Sequence, residues 1–203
     1  MHGSRSFASF ALVAALTAPA AAAPASAIWN VDPVHSSAEF TVKHLVISNV
    51  KGVIPIKAAT IVTSADSLVP MEISATLDVT ALDTRDSDRD SDLRGSDWFD
   101  TASYPTLVFK STKIDAGPDA QSFHATGDLT LHGTTKRIVL DGKILGRTVD
   151  GRGHQRVAYS AMTTIDRRDF GLNFLGKTPG GGLIAGTDVA LDIEVEAIAK
   201  AVP

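Results

Sequence analysis

The stretch 171–182, GLNFLGKTPGGG, has the residue types and spacing of a nucleotide-binding phosphate loop. Gly171, Gly176, Lys177 and Thr178 match the pattern G-x-x-x-x-G-K-[ST]. Such a loop holds phosphates with the first N–H groups of the helix that follows it. Here Pro179 and three glycines follow, and each glycine disfavours a helix by about 1 kcal/mol relative to Ala. We interpret the match as a coincidence within a flexible loop, and no nucleotide partner is predicted.

Histidines are the next group that could carry chemistry, and five follow the first 27 residues: His35, His44, His124, His132 and His154. No two of them have the i, i+4 spacing of a helical zinc site, so no metal ligand is predicted. His44 shares the apolar parity of Phe40 and Val42, whereas His124 and His132 fall on the polar side of their segment. A lone inward histidine is typical of a hydrogen-bonded core residue. A small-molecule enzyme or isomerase that uses His44 is kept as the alternative function.

Asp32, His35 and Ser36 supply the residue types of a hydrolytic triad. Three near neighbours on one short strand cannot align nucleophile, base and orienting group, and the chain has no nucleophile elbow. It also has no Cys, which excludes disulfides, a thiolate nucleophile and a thiolate zinc site. No catalytic residue and no bound cofactor are therefore predicted, and the chain is not expected to be an enzyme.

The Asp-rich segment at 85–100, RDSDRDSDLRGSDWFD, resembles a calcium-binding loop at first sight. An EF-hand loop needs Gly at its sixth position and Glu at its twelfth, and neither starting residue, Asp86 or Asp88, provides them. The segment instead predicts a short helix with acidic residues in its first turn, which is favourable to the helix dipole. Trp98 and Phe99 could then cover the mouth of a barrel. A solvated charged connection that these two residues merely anchor is an equal alternative.

The elements that must position these residues show period-two alternation of apolar and polar side chains. It is clearest at 71–81 and 189–197 and recurs around 40–44, 107–109, 123–131 and 157–161. Turn sequences such as Asp141-Gly142 and Asp150-Gly151 separate the runs. Seven or eight such strands predict an antiparallel all-β protein with one buried side.

A one-sided sheet of this size must pack on a second sheet or close on itself, and we favour a closed barrel because closure removes exposed edges. The predicted interior set is Phe40, Val42, Ile73, Ala75, Leu77, Val79, Leu107, Phe109, Ala125, Leu129, Leu131, Tyr159, Leu191, Ile193 and Val195. An eight-stranded barrel could enclose one long, thin apolar ligand. Alternation alone favours a filled core, because a filled core needs no further assumption.

The N-terminal segment 1–27 has one positive charge before the apolar run 7–16 and ends in Ala25-Ser26-Ala27. This pattern predicts a cleaved secretory signal peptide, a mature chain of one domain at 28–203 and a periplasmic location. The net charge is −4, and Lys and Arg are scattered singly, which indicates no nucleic-acid partner. No stable membrane anchor is predicted.

Five motifs along the chain resemble, in order, those of the YceI-like family. They are WNVDPVHSSAEFTVKHL (29–45), DTRDSDRDSDLRGSDWFD (83–100), YPTLVFKST (104–112), GDLTLHGTTK (127–136) and IDRRDFGL (165–172). The resemblance implies an eight-stranded antiparallel lipocalin-like barrel with a short helical insertion around residues 85–100. Trp98 stands where Phe is common in the family, and the triple-Gly loop is a further departure.

The resemblance also implies a function in binding. The expected protein is exported and holds a polyisoprenoid, an isoprenoid quinone or a similar amphiphile in an elongated cavity, for transport, storage or sequestration. The expected lipid contacts are Phe40, Val42, His44, Ile73, Leu77, Val79, Trp98, Phe99, Leu107, Phe109, Leu129, Leu131, Tyr159, Phe170 and Ile193. His44, Tyr159, Arg89 and Arg94 are candidates for polar contacts to a head group. The lipid is the expected partner, and a homodimer is left open.

Overall fold

A computed structural model of the chain describes residues 26–200. In chain order its elements are β1 Ser26–Val31, β2 Ser37–His44, β3 Ser48–Val53, β4 Ile56–Ser64, β5 Pro70–Asp78, α1 Ser87–Arg94, β6 Thr106–Ala116, β7 Ser122–Leu131, β8 Thr134–Val149, β9 Gln155–Asp166 and β10 Ala185–Ala199. All strand pairs are antiparallel. The predicted all-β class and the short helix in the Asp-rich segment are confirmed.

The sheet closes into a barrel because β10 pairs with strands on both of its edges. One edge pairs with β9, and the other pairs with β2 through Ala185–Glu194 and with β1 through Ala197–Ala199. β1 and β2 are therefore two halves of one barrel strand, separated by the 3-10 turn Pro33–His35. β3 and β4 are likewise two halves of the next strand, with Pro55 between them. The ten strands thus form the expected eight-stranded barrel.

Three inward aromatic rings lie directly over glycines of neighbouring strands. The pairs are Phe40 with Gly52, Phe109 with Gly127, and Phe123 with Gly142. A Cβ atom added to any of these glycines would lie 2.2 to 2.4 Å from the tip of the ring, well inside the closest approach of real carbon atoms. The glycines therefore let each ring lean against the barrel wall, and a side chain there would push the ring towards the barrel axis.

The barrel end farthest from α1 is packed by Trp29. Its indole N–H donates to the Thr63 hydroxyl at 3.1 Å, and both side chains are almost fully buried. Val31, the next inward residue of β1, is buried on the side nearer the middle of the barrel. Because the only polar group of Trp29 is satisfied, the indole closes this end without an unpaired donor.

The predicted signal peptide 1–27 lies outside the described residues except for Ser26 and Ala27. These two residues begin β1 and pair with Ser64 and Thr63 of β4. Within residues 26–200 no helix is long and apolar enough to cross a bilayer. After Lys177 the chain forms turns, and an isolated β-bridge joins Lys177 to Leu183 before β10. The segment is therefore a loop, as predicted, and it lacks the helix that a phosphate loop requires.

Candidate ligand-binding cavity

The barrel encloses an inner chamber whose walls are aliphatic and aromatic. The chamber has a volume of about 130 Å³, some ten times the minimum that holds one water molecule. Glu39 and Ser160 contribute to the wall, but by alternation with their inward neighbours their side chains point outward. A chamber without polar partners does not hold water well, and it suits a hydrocarbon chain.

An outer chamber adjoins the inner one towards α1. It is larger, about 340 Å³, and the two chambers share the wall residues Phe40, Ile54, Leu107 and Leu191. The odd-numbered residues of β10 from Ala185 to Val195, apart from Thr187, line first the outer chamber and then the inner one. Ten residue steps in a tilted strand correspond to roughly 25 Å along the barrel axis. The cavity is therefore long and narrow.

The rim of the outer chamber joins the α1 segment to the loop at 171–184. The rings of Trp98 and Phe174 lie 4.7 Å apart between centroids. The Arg167 guanidinium lies 5.4 Å from the centre of the Trp98 ring. It donates from Nε to the Gly186 carbonyl at 2.8 Å and from Nη2 to the Phe174 carbonyl at 2.7 Å. Arg167 thus holds the loop in place through backbone oxygens and braces the aromatic pair.

Arg167 is itself almost fully buried, and within residues 26–200 no carboxylate forms an ion pair with it. Burial lowers the pKa of its guanidinium, although the group stays protonated because an arginine pKa is so high. The wall of the outer chamber therefore contains a fixed positive charge. Such a charge favours an electronegative group in this chamber.

Two aspartates of the α1 segment, Asp86 and Asp90, hold local backbone structure. Asp86 caps the helix by accepting from the Arg89 N–H at 3.1 Å. Asp90 is buried and accepts from both the N–H and the hydroxyl of Thr84, which lower the pKa of its carboxyl. These hydrogen bonds hold the N-terminus of α1 against Thr84, which precedes it. Trp98 and Phe99 follow the helix and line the outer chamber.

Most of the predicted lipid contacts line the two chambers. Phe40, Ile73, Leu77, Leu107, Phe109, Leu129, Tyr159 and Ile193 line the inner chamber. Val42, His44, Trp98, Phe99 and Leu131 line the outer chamber, together with Phe40 and Leu107. The structure thus brings these residues together around one cavity, and their contact with a lipid stays a prediction.

Two predicted contacts, Val79 and Phe170, lie outside the walls of both chambers. β5 ends at Asp78, and Val79 begins a 3-10 turn that leaves the alternating register of the strand. Phe170 ends a 3-10 turn after β9. Both side chains are almost fully buried in the hydrophobic core, where they support the fold.

The four candidates for head-group contacts are placed differently. His44 and Arg89 line the outer chamber, and the His44 ring has no hydrogen-bond or ion-pair partner among residues 26–200. Arg94 lies outside both chamber walls and donates to the carbonyls of Thr80 and Leu82. Tyr159 lines the inner chamber, but its hydroxyl donates to the Leu68 carbonyl at 2.8 Å, and burial raises its pKa. The Arg89 guanidinium donates to the hydroxyl and the carbonyl of Thr84, so His44 is the one candidate without a side-chain partner among residues 26–200.

Comparison with known proteins identifies the family. The model of the YceI-like domain matches residues 29–197. A UPF0312 protein of Vibrio cholerae is 30% identical over 189 residues, which are 93% of this chain and 95% of the relative. The chain belongs to the YceI-like family.

Among solved structures, the YceI protein of Campylobacter jejuni is 32% identical, with a TM-score of 0.64 over 78% of this chain and 90% of that one. A polyisoprenoid binding domain from Saccharophagus degradans is 16% identical, with a TM-score of 0.59 over 88% of this chain and 100% of that domain. The latter likeness shows that this YceI-like barrel and that domain share a fold.

Sequence reasoning missed several wall residues of this YceI-like barrel. Ile54, Ile56 and Ile61 line the inner chamber, but Pro55 interrupts the strand pattern that would have identified them. Phe174 and Ile184 line the outer chamber from the loop before β10, where no periodicity exists. The apolar run at 53–56 was the available signal for Ile54 and Ile56, and none was available for Phe174 and Ile184.

At the opposite end of this YceI-like barrel a charged cluster surrounds Arg156. Its guanidinium donates to Asp150 at 2.8 Å, Asp32 at 3.0 Å and Glu196 at 2.5 Å. His35 lies 2.9 Å from Asp32, while the Ser36 hydroxyl donates to the Asp32 carbonyl rather than to His35. Asp32, His35 and Glu196 are close enough together to share a metal ion, but both carboxylates already accept hydrogen bonds from the Arg156 guanidinium. The cluster ties β1, β9 and β10 together.

Proposed function

We propose that the protein binds one long-chain amphiphile, such as a polyisoprenoid or an isoprenoid quinone, with its tail in the inner chamber and its head group in the outer chamber. The observation that carries this proposal is the polarity of the cavity along its length. The inner chamber is lined by hydrocarbon, whereas the outer chamber contains His44, Arg89 and Arg167. Carriage, storage and sequestration are all compatible with this arrangement.

The tail alone supplies enough binding energy. Each methylene group moved from water into the chamber contributes about 0.8 kcal/mol. Ten methylene equivalents therefore contribute about 8 kcal/mol, which corresponds to a micromolar Kd if little is lost to ordering. The fold shared with the polyisoprenoid binding domain of Saccharophagus degradans makes polyisoprenoids the first lipids to test.

The outer chamber favours a head group with carbonyl or phosphate oxygens. The Arg167 charge is buried without a carboxylate partner, and His44 has a free ring nitrogen in the same wall. A quinone carbonyl or a phosphate could accept a hydrogen bond from His44, and a phosphate would also be attracted by the positive charge of Arg167. Asp92 also lines this chamber, so a cationic head group would gain one partner but face Arg89 and Arg167.

A catalytic role for His44 has less support. A general base is commonly oriented by a third group, and no carboxylate of residues 26–200 forms an ion pair with His44. The position of His44 in the outer chamber instead suits a hydrogen bond to a head group. We therefore propose a binding protein rather than an enzyme.

We further propose that the protein works in the periplasm after removal of residues 1–27. The charge before the apolar run 7–16, the short length of that run and the small residues at 25–27 support export.

Extraction of natively purified protein, followed by mass spectrometry, tests the proposed function. A long-chain lipid recovered in stoichiometric amount, and much reduced in Leu77→Asp, is the expected result. Protein that yields no lipid and also fails to bind a fluorescent long-chain probe would overturn the proposal. Turnover of a small molecule that is lost in His44→Ala would favour the enzyme.

A further inference from the structure

The turn between β2 and β3 exposes three consecutive apolar residues beside the mouth of the outer chamber. Leu45, Val46 and Ile47 are 38%, 61% and 83% exposed. Leu45 and Val46 also have left-handed backbone, with φ angles of 50° and 68°. Asn or Gly is the usual residue in such a conformation, and a β-branched residue there is strained. These side chains therefore strain the backbone of the turn, and they also expose apolar surface to water.

The neighbouring loop extends this apolar surface. The Leu45 N–H donates to the Ile184 carbonyl at 2.9 Å. A Cβ atom at Gly182 would lie 3.0 Å from a Val46 methyl group, so the turn packs on the loop. Leu175 of the same loop is about half exposed. We call Leu45, Val46, Ile47 and Leu175 the apolar rim, and their neighbours His44, Phe174 and Ile184 line the outer chamber.

The segments that carry the apolar rim are basic in an otherwise acidic protein. Residues 40–52 and 171–187 contain Lys43, Lys51 and Lys177 and no Asp or Glu, whereas the whole chain has a net charge of −4. Apolar side chains flanked by lysines are typical of surfaces that enter the interface of an anionic bilayer.

The opposite end of the barrel provides the contrast. It also exposes apolar side chains, Val34 and Val149, but these lie by the carboxylates Asp32, Asp150 and Glu196. Apolar exposure is thus common to both ends, and the charge distinguishes them. Residues 83–100 contain seven Asp and three Arg, so an anionic surface would repel this segment and attract the lysines that flank the apolar rim.

We propose that the apolar rim docks reversibly on bilayers that contain anionic lipid. Docking places the mouth of the outer chamber against the acyl chains, so a lipid can enter or leave the cavity without crossing water. This inference rests on the proposed lipid-binding function, because it assigns a route to the same cavity. It adds a membrane surface as a second binding partner.

Flotation with vesicles tests the docking. Wild-type protein is mixed with vesicles of phosphatidylcholine alone or with vesicles in which part of the lipid is phosphatidylglycerol. We expect flotation with the second kind and a marked decrease as the salt concentration is raised. The double variant Val46→Asn with Ile47→Ser should float at least about tenfold less, since two exposed apolar side chains are lost. Asn is well tolerated at positive φ, so the variant should fold.

The matched control is Val34→Asn with Val149→Ser, which introduces the same two polar residues in place of two exposed β-branched residues at the opposite end. It should float as the wild type does. Binding of a soluble long-chain probe without vesicles should stay within about twofold of wild type in both double variants, because neither changes the chamber walls. Failure of wild-type protein to bind the probe would count against the proposed function itself.

Three results would overturn the docking alone while probe binding persists. The first is wild-type protein that does not float with either kind of vesicle. The second is equal flotation of wild type and the rim variant. The third is a wild-type dimer, detected by light scattering, that becomes monomeric in the rim variant without any vesicle binding, because the rim would then be a contact between two copies of the chain.

Discussion

Leu77 is the position at which an introduced charge should report most clearly on the inner chamber. The side chain is buried in the chamber wall, and its partners on the two neighbouring strands are Ile56 and Leu107. Both partners also line the chamber and offer no side-chain hydrogen-bond donor. Leu77→Asp therefore places a carboxyl group against hydrocarbon, where the neutral form is favoured and the pKa rises.

The magnitude follows from that pKa. An unperturbed Asp has a pKa of about 3.9, and each unit by which the protein raises it is worth about 1.36 kcal/mol. A pKa raised to about 7 makes the substitution cost about 4 kcal/mol at pH 7, or about a thousandfold in affinity if the cost falls on binding. At pH 5 most of the carboxyl groups hold a proton, and the cost falls to about 1.5 kcal/mol. The difference of about 2.5 kcal/mol means that affinity should recover roughly fiftyfold between pH 7 and pH 5.

The assay is titration with a fluorescent long-chain probe at both pH values, with near-ultraviolet circular dichroism to confirm folding. Thr76→Asp is the matched control, because Thr76 precedes Leu77 on β5 and points to the other face of the sheet. Asp78 is unsuitable as a control, since it caps the next turn by accepting from the Thr80 N–H and hydroxyl. Leu77→Asp binding as tightly as wild type at pH 7, or Thr76→Asp binding as weakly as Leu77→Asp, would refute the assignment of this wall.

Further predictions concern the fold and its export. Arg156→Gln should lower the free energy of unfolding at pH 7 by about 1–3 kcal/mol, because it leaves carboxylates unpaired. Hydrogen bonds with His35 and with Arg156 hold the pKa of Asp32 at about 2, so the part of the loss that involves Asp32 should shrink as the pH falls from about 4 towards 2. Urea denaturation that shows the same loss at pH 7 and near pH 2 would contradict the pairing. Gly127→Ala should push the Phe109 ring into the inner chamber and weaken probe binding more than it lowers the melting temperature, whereas unchanged binding would place that ring elsewhere. The mature protein should begin at or within a few residues of Ile28 and should melt at the same temperature with and without reductant, which N-terminal sequencing and thermal denaturation can check.

Where the chain is a regular strand, the sequence predicted both the fold and the walls. In β5 the odd residues Ile73, Ala75 and Leu77 all line the inner chamber, as the alternation requires. The same rule failed at Val79 because a 3-10 turn begins there, and a turn has no strand parity. Period-two patterns carry information on side-chain direction only while backbone pairing continues.

The rim of the cavity could not be predicted in this way. The Phe174 carbonyl accepts from Arg167 and the Ile184 carbonyl accepts from the Leu45 N–H, and such contacts leave no periodic signal. Alternation also could not decide between a filled barrel and a cavity, because both have apolar inward residues. The difference depends on ring placement against glycines such as Gly52 and Gly142, which is a property of the packed barrel.

Affinity measured against chain length tests the central claim most directly. A series of isoprenoid alcohols with one head group and an increasing number of isoprene units would be titrated into the protein by displacement of the fluorescent probe. We predict that each added unit strengthens binding by about tenfold or more until the inner chamber is filled, and that affinity then levels off. Affinity that does not depend on chain length, or that is set by the head group alone, would contradict a cavity that holds the tail.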